Sequence, residues 1–151
     1  MFRCHKRNQD RHPLPKKRLA TVEQLVNHGL TAGIFIAPIL PRLTDSTDQL
    51  KGLVREAKAH QAMYAVPSVL RLKPGVKAWY YKTLETCAPD LLTAYTNQYQ
   101  SAYPSHPYVE ALMNRVYSIL EAYDLPAHVP EHKRPQLSES RDQDEQLAFG
   151  F

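Results

Sequence analysis

Glycine and cysteine are scarce in this chain, and long apolar runs are missing from it. The 151 residues include 5 glycines, and neither GxGxxG nor a P-loop pattern occurs, which argues against a phosphate-cradling loop. The two cysteines, Cys4 and Cys87, cannot by themselves form a disulfide framework or a structural zinc site. No apolar run approaches the roughly 18 residues of a membrane-spanning helix, and no secretory leader opens the chain. We therefore expect a cytoplasmic, soluble protein with no membrane partner.

The composition is otherwise globular, with an excess of positive charge at the beginning. Hydrophobic residues are 43% and charged residues 23%, which indicates one domain or a piece of a larger one. The net charge is +4, and residues 1–18 carry seven cations against the single carboxylate of Asp10. A basic arm of this kind can neutralise nucleic-acid phosphates without reading sequence. The alternative is a solvated helix face behind a frayed terminus, and we expect residues 1–14 to be a basic flexible arm.

Residues 15–41 combine the pattern of a helix with that of a buried strand. Apolar residues at helical spacing predict a helix from Pro15 to His28, and Gly29 is placed to end it. The continuous apolar run from Thr31 to Pro41 predicts a strand buried on both faces, as in a parallel sheet. Since Pro38 cannot donate a ladder hydrogen bond, it should lie at or just past the end of this strand.

The same succession is repeated in residues 43–73. Residues 43–48 offer several N-cap side chains for a second helix. The stretch from Met63 to Leu72 predicts a second buried strand, whose middle is weakened by Pro67. Helix, strand, helix, strand with short connections indicates an α/β protein built around a parallel sheet.

The second half of the chain predicts helices and no further strand. Three segments have helical patterns: Val76–Thr86, Pro89–Tyr99 and Ser105–Tyr123. We therefore expect residues 74–124 to be a helical extension. Residues 125–151 are polar, charged and proline-bearing, so we expect them to be a flexible tail.

Two parallel strands with covering helices leave the sheet unfinished. Strands buried on both faces need further strands beside them, and an isolated two-stranded sheet is marginal in water. The sequence therefore predicts a fragment of a larger barrel or open sheet. Either the remainder lies on another polypeptide, or the chain is a truncated product.

Three segments in order resemble a known family. They are Lys17–Val22 leading to His28–Leu30, then Ala37–Asp45, then Leu70–Lys77. Their order and spacing resemble the C-terminal half of radical SAM proteins of the spore photoproduct lyase-like, or DNA repair photolyase, group. That pattern is a helix ending in glycine, a strand ending Ala-Pro-x-(Ile or Leu)-Pro-Gly, a helix, and a strand ending Leu-Arg-Leu. Because Arg42 stands where the family has glycine, the loop after the first strand is expected to form a different turn.

The resemblance implies a partial (β/α) barrel, with the two strands as the fifth and sixth of six. In such enzymes a 4Fe–4S cluster held by the three cysteines of CxxxCxxC reduces S-adenosylmethionine to a 5′-deoxyadenosyl radical. This chain lacks CxxxCxxC, and the family's cluster ligands lie upstream of the matching segments. The chain alone is therefore expected to bind no cluster, to need no cofactor and to be inactive.

Residues at the C-terminal ends of the two strands are the candidate site, since barrel active sites gather there. The resemblance places Ala37, Pro38 and Ile39 at one such end. It places Leu70, Arg71 and Leu72 at the other end. These six residues would form the rim of a cofactor or substrate pocket. Arg71 can bind a carboxylate or phosphate in fork geometry, or it can form a structural ion pair at the rim.

Other constellations favour a structural interpretation. Cys4, His5 and His12 fit no standard zinc spacing, and we expect no metal site and no catalytic residue in this chain. Cys87 is expected to act as a small buried hydrophobe. The tyrosines between residues 80 and 108, with Trp79, can stack nucleic-acid bases. They can equally pack in the core with hydroxyls reaching water.

The last residues, Glu145–Phe151, resemble the short peptide by which bacterial repair proteins dock on the sliding clamp; an unstructured end is the alternative. The leading hypothesis from the sequence is an inactive C-terminal fragment of a radical SAM protein whose partner is the missing N-terminal half of the barrel. The alternative is a small, basic, mostly helical module that binds nucleic acid or a protein partner. A salt titration of DNA binding separates the two.

Overall fold

The computed structural model describes residues 15–130. In chain order the elements are α1 (Pro15–Asn27), β1 (Ile34–Ile39), α2 (Thr47–Ala59), β2 (Ala65–Val69), α3 (Pro74–Cys87), a 3-10 helix (Pro89–Leu91), α4 (Leu92–Gln98) and α5 (His106–Ala122). The predicted mixed α/β class with two parallel strands is confirmed. The predicted basic arm, the cluster Cys4, His5 and His12, and the clamp-like peptide lie outside the described residues.

Helix ends follow the local signals of the sequence. Gly29 has φ +79° after the end of α1, and the amide of Leu30 donates to the carbonyl of Leu25 at 3.0 Å, which closes the last turn. Ser46 caps α2 by accepting from the amide of Gln49 and donating to its side-chain oxygen. None of the helices within residues 15–130 has the length and apolar content that crossing a bilayer requires.

The sheet is a single parallel pair in which Ile34 lies opposite Ala65 and Ile39 opposite Val69, with an irregularity between Ile36 and Ile39. Gly33 allows the two strands to approach, because a Cβ there would lie 2.3 Å from the carbonyl oxygen of Tyr64. Pro38 lies inside β1, one residue before its end. The pairing of the strands is irregular between Ile36 and Ile39, so the ladder does not require the amide hydrogen bond that proline cannot donate.

One face of the sheet is packed against three helices. The buried members of this aliphatic core come from α1, both strands, α2, α5 and the turn after α5: Leu19, Ile36, Ile39, Leu50, Val54, Ala57, Ala62, Ala65, Leu112, Val116, Ile119, Leu120 and Leu125. Because Leu125 is buried and the carbonyl of Pro126 accepts a hydrogen bond from Ala65, the packed chain continues past residue 125. Leu125 and Pro126, predicted to begin a flexible tail, are therefore part of the packed fold.

The other face of the sheet is open. Phe35 is 67% exposed, and Ala37 and Ser68 are also exposed. The prediction of strands buried on both faces is therefore wrong for the described residues, since α1, α2 and α5 all lie on one side. A continuous apolar run indicates that both faces of a strand are apolar. It does not show that elements of the same chain pack against both faces.

A second, tyrosine-rich core joins the helical extension to the ends of the strands. Its buried members are Leu72, Leu84, Ala88, Tyr95 and Tyr99. The predicted helix over Pro89–Tyr99 is present as the 3-10 helix followed by α4. Within residues 15–130, α3 and α4 contribute their buried side chains to this core and none to the aliphatic core. Of the predicted helical extension, α3 and α4 thus form a separate layer at one end of the sheet, whereas α5 packs against the face of the sheet.

Candidate functional site

Both strands end at the same edge of the sheet, because they are parallel. The chain leaves β1 at Ile39 and β2 at Val69, and these two residues lie opposite each other. The loop over residues 40–46 follows β1 and the segment over residues 70–73 follows β2. In α/β proteins ligands bind at this end of the strands, so the side chains that surround it form the candidate site.

Two buried tyrosines of α4 and its C-terminal end hold the strand ends in place. The hydroxyl of Tyr95 donates to the carbonyl of Pro41 at 2.7 Å, and the hydroxyl of Tyr99 donates to the carbonyl of Leu70 at 3.0 Å. Both residues are almost fully buried, and burial raises the pKa of both phenols well above the usual range. Of the two alternatives that the sequence left open, base stacking and packing in the core, these two tyrosines follow the second. Their hydroxyls, however, donate to backbone carbonyls and do not reach the surface.

A third tyrosine ties α5 to the loop after β1. The hydroxyl of Tyr108 donates to Oδ2 of Asp45 at 2.6 Å. Partial burial is the larger cause of a raised pKa of Tyr108, and this hydrogen bond to a carboxylate raises the pKa further. In the same loop Arg42 has φ +59°, the left-handed conformation that glycine adopts more easily. The loop therefore accommodates arginine in backbone geometry that suits glycine.

The structure divides the three predicted rim residues of β1 between two environments. Ala37 and Pro38 are exposed, next to the open face of the sheet, and the peptide bond between them is cis. Ile39 is buried in the aliphatic core under the helices. Of these three, Ala37 and Pro38 are positioned to contact a ligand on the open side.

The three predicted rim residues after β2 are also divided. Leu72 is fully buried in the tyrosine core and Leu70 packs against that core, so their side chains face away from solvent. Arg71 is exposed, and its guanidinium carbon lies 4.8 Å from the centre of the Tyr103 ring. Among the described residues Arg71 forms no ion pair; instead it makes a cation–π contact.

Arg71 and Tyr103 form an exposed ledge beside two shallow depressions. Tyr103 is 49% exposed and lines a depression of about 440 Å³ with Ser101, Ser105 and His106. A neighbouring depression of about 500 Å³ lies between Lys77, Tyr81 and Ser101. The ledge therefore offers a cation and an aromatic face, together with hydroxyl groups, which suits an anionic or planar ligand. Tyr103 belongs to the tyrosines that the sequence offered for base stacking, but its contact with Arg71, 32 residues away, has no local sequence signal.

The chain's own thiols do not fit an iron–sulfur cluster. Three thiolates are required, and the chain has two cysteines. Cys87, half-buried at the end of α3, is disulfide-bonded, so the prediction that it acts as a small buried hydrophobe is corrected. Within residues 15–130 no three His, Cys, Asp or Glu side chains are grouped as metal ligands.

Comparison with known proteins shows related chains that are much longer. Uncharacterized proteins of Mycobacterium bovis and of two strains of Mycobacterium tuberculosis are each 31% identical to this chain over 114 residues. The match covers 75% of this chain and 34% of each relative, so the matched part is about a third of the relatives' length. No family model matches the chain. No solved structure matches it either.

Proposed function

We propose that this chain is the C-terminal part of a (β/α)-barrel enzyme of the radical SAM, spore photoproduct lyase-like type. It supplies the last two strands, their helices and a helical extension. The catalytic cysteines belong to the remainder of the barrel, so the chain has no activity alone. The open face of the sheet, with Phe35 67% exposed, is the observation that carries this proposal.

The distribution of helices supports a barrel over an open, doubly wound sheet. In a (β/α) barrel all crossover helices lie outside and the inner faces of the strands pack against one another. A doubly wound sheet has helices on both faces. Here α1, α2 and α5 share one face and Phe35, Ala37 and Ser68 lie on the other. The open face then corresponds to the barrel interior.

The length of the relatives supports the same proposal. Each mycobacterial relative is about three times as long as the 114 residues that match. A complete barrel needs roughly 200 residues or more, which these relatives have and this chain lacks.

In the complete enzyme, the residues of this chain bind and orient the substrate. Arg71, held by the Tyr103 ring, would bind an anionic group at the rim, while Ala37 and Pro38 would line the inner side. Tyr95 and Tyr99 would keep both strand ends in register by binding their carbonyls. The cluster and S-adenosylmethionine, when bound to the remainder of the barrel, would supply the radical.

A chimera tests the proposal. The matched segment of the Mycobacterium tuberculosis relative is replaced by the corresponding part of this chain, and the product is reconstituted anaerobically with iron and sulfide. We expect bound iron and sulfide and reductive cleavage of S-adenosylmethionine to 5′-deoxyadenosine, and neither from this chain alone. A cluster on the isolated chain would contradict the proposal, and so would the absence of a cluster from the complete relative.

The role of Arg71 is tested in the same chimera. Arg71→Gln should weaken substrate or S-adenosylmethionine binding by about 10- to 100-fold, because a charge-assisted hydrogen bond is worth roughly 1.5–3 kcal/mol. Arg71→Lys should restore part of the affinity. Arg55→Gln, at an exposed position on α2, is the matched control and should change nothing.

A second candidate function is nucleic-acid binding by the chain itself. The observation that favours it is the exposed pair of Arg71 and Tyr103, with Trp79 also exposed on α3 near Lys82. Bases stack on aromatic rings and phosphates bind cations. A salt titration of single-stranded DNA binding should then show a steep slope. Tyr103→Ala should weaken binding, and a flat salt dependence would exclude this function.

A further inference from the structure

One face of α3 carries a largely exposed apolar patch. Trp79, the single tryptophan of the chain, is 67% exposed, and Val76, three residues before it, is 51% exposed. Residues three apart on a helix are neighbours, so these two side chains form one patch. Leu84, on the other side of α3, is buried in the tyrosine-rich core. The patch therefore lies on the solvent side of the helix, and it has no role in the proposed barrel.

Cations flank this apolar patch. Lys73 precedes it by three residues and Lys82 follows it by three, so the lysines lie next to it along the helix. Both lysines are exposed, and neither forms an ion pair within residues 15–130. From residue 71 to residue 84 the chain has four cations, and its first carboxylate after them is Glu85. Such a surface favours a partner that carries negative charge beside apolar or aromatic groups.

The segment over residues 139–151 has the complementary pattern. It contains four carboxylates and one arginine, and apolar residues follow them: Leu147, Phe149 and Phe151. Its carboxylates can pair with the two lysines while an aromatic ring packs against Trp79. At the other end of the chain, residues 1–14 have four cations and one carboxylate. Charge repulsion disfavours residues 1–14 at this surface, so residues 139–151 are the better match.

The chain that precedes this segment is long enough to reach α3. The carbonyl of Pro126 accepts a hydrogen bond from Ala65 at the start of β2, and α3 begins just beyond the other end of that strand. The distance along the strand from residue 65 to residue 72 is about 23 Å. The chain from residue 130 to residue 139 spans up to roughly 30 Å when extended. The segment can therefore lie along α3 without a change in the described fold.

We propose that residues 139–151 dock on the exposed face of α3, with an aromatic ring of the segment against Trp79 and its carboxylates beside Lys73 and Lys82. The docking depends on neither function proposed above. It has a consequence for the second, because single-stranded DNA would use the same ring and the same cations. The docked segment excludes such a ligand and acts as an autoinhibitory element of this surface.

Fluorescence of Trp79 in the full chain tests the docking, because no other tryptophan contributes. In the double variant Phe149→Ser, Phe151→Ser the acrylamide quenching constant should roughly double, since the ring regains access to solvent. Phe2→Ser, which removes an aromatic side chain from residues 1–14, is the matched control and should change nothing.

Three results of this measurement would overturn the docking. The first is an unchanged quenching constant in the double variant. The second is an increase with Phe2→Ser instead, because residues 1–14 would then cover Trp79. The third is protection of Trp79 that rises with protein concentration, because a second copy of the chain would then be the occupant.

Charge reversal tests the ionic part of the contact. Lys82→Glu should raise the quenching constant toward that of the double variant, because it places like charges together. Asp142→Lys, Asp144→Lys and Glu145→Lys, added together to Lys82→Glu, should restore the protection. Lys51→Glu, at an exposed position on α2, is the matched control and should change nothing. Protection that Lys82→Glu leaves intact would contradict the proposed pairing.

Salt provides a measurement on the unaltered chain, which holds even where a variant does not fold. Near 1 M salt the Debye length falls to roughly 3 Å, so the quenching of Trp79 should rise toward that of the double variant. A quenching constant that is the same at low and high salt would overturn the charge-assisted docking.

Single-stranded DNA binding separates the docking from the second candidate function. A segment that is docked about 90% of the time weakens a competing ligand about tenfold, so the double variant should bind DNA about tenfold more tightly than the unaltered chain. If no variant binds DNA and the quenching changes as expected, the second candidate function fails and the docking stands. If the variants bind DNA equally and the quenching is also unchanged, the docking fails.

Discussion

The two faces of the sheet are made from the same two apolar strands and have opposite environments. Ile36 and Ile39 are buried beneath α2 and α5. Phe35, the residue just before Ile36 in the same strand, is two-thirds exposed. The difference does not arise from composition, because isoleucine and phenylalanine are similarly apolar. It arises because α1, α2 and α5 all pack on one face of the sheet, while no element within residues 15–130 covers Phe35 on the other.

This asymmetry indicates which side of the molecule is finished. Buried apolar area contributes roughly 25 cal/mol per Å² to stability, and a fully buried phenylalanine contributes about 2–3 kcal/mol. The covered face has this contribution and the open face lacks it. An exposed apolar strand that also has an open edge is a surface for a partner, or otherwise a site of aggregation.

The largest expected effect is on the covered face. Leu112→Ala removes a fully buried side chain of α5 from the aliphatic core, so we expect a loss of about 3 kcal/mol in the free energy of unfolding. Leu30→Ala, at a position 55% exposed, is the matched control and should cost less than about 0.5 kcal/mol. Urea unfolding followed by circular dichroism measures both. Equal losses would show that the covered face is not the core.

The next largest loss in the free energy of unfolding is expected at the C-terminal ends of the strands. Tyr95→Phe removes the buried hydroxyl that donates to Pro41 and leaves that carbonyl unpaired, so we expect a loss of about 1–3 kcal/mol. Tyr117→Phe, at a half-exposed position on α5, should have no measurable effect. An unchanged midpoint for Tyr95→Phe would mean that water replaces the hydroxyl and that the tyrosines do not hold the strand ends.

Alkaline pH acts on the same tyrosines. Burial raises the pKa of Tyr95, Tyr99 and Tyr108 above the usual value near 10. Above pH 10 the unfolded chain loses these protons and the folded chain retains them, so stability is full below pH 10 and falls above it. Each tyrosine contributes a slope of up to about 1.4 kcal/mol per pH unit.

The slope is measured by urea unfolding between pH 9 and pH 11, and Tyr95→Phe should reduce it. Tyr117→Phe is again the control and should leave it unchanged. A free energy of unfolding that stays constant over this range would contradict the assignment of buried, hydrogen-bonded hydroxyls.

The elements themselves could be predicted from the sequence, because their signals are local. Helical spacing and Gly29 define α1, and Ser46 is among the N-cap residues expected before α2. The long apolar runs around β1 and β2 predicted both strands within a few residues. Parallel pairing followed from the helix between the two strands, since a crossover of that length joins parallel neighbours.

The site could be predicted only in part, because its contacts are between residues far apart in the chain. The rim position of Arg71 followed from the end of the second strand, but its contact with Tyr103 depends on how the extension folds back. Likewise, Ile39 ends β1 and Leu72 lies just after β2, but the helices and the tyrosine core determine which way their side chains face. Local patterns contain no information about those directions.

The smallest effect in the isolated chain is expected on the open face. Phe35→Thr keeps a residue suited to strands and removes a side chain that is 67% exposed, so the free energy of unfolding should change by less than about 0.5 kcal/mol. Ile36→Ala, at the next position but on the covered face, should cost about 2–4 kcal/mol. Urea unfolding of the two variants compares the faces directly within one strand.

In the chimera with the mycobacterial relative the same substitution should behave differently. If the open face is the inner face of a barrel, Phe35 is buried there, and Phe35→Thr should cost about 2 kcal/mol or more, because a buried aromatic side chain is lost and a hydroxyl is buried in its place. A cost that stays below about 0.5 kcal/mol in a cooperatively folded chimera would mean that no polypeptide covers this face. The barrel proposal would then lose its main support, whatever the chimera does with iron.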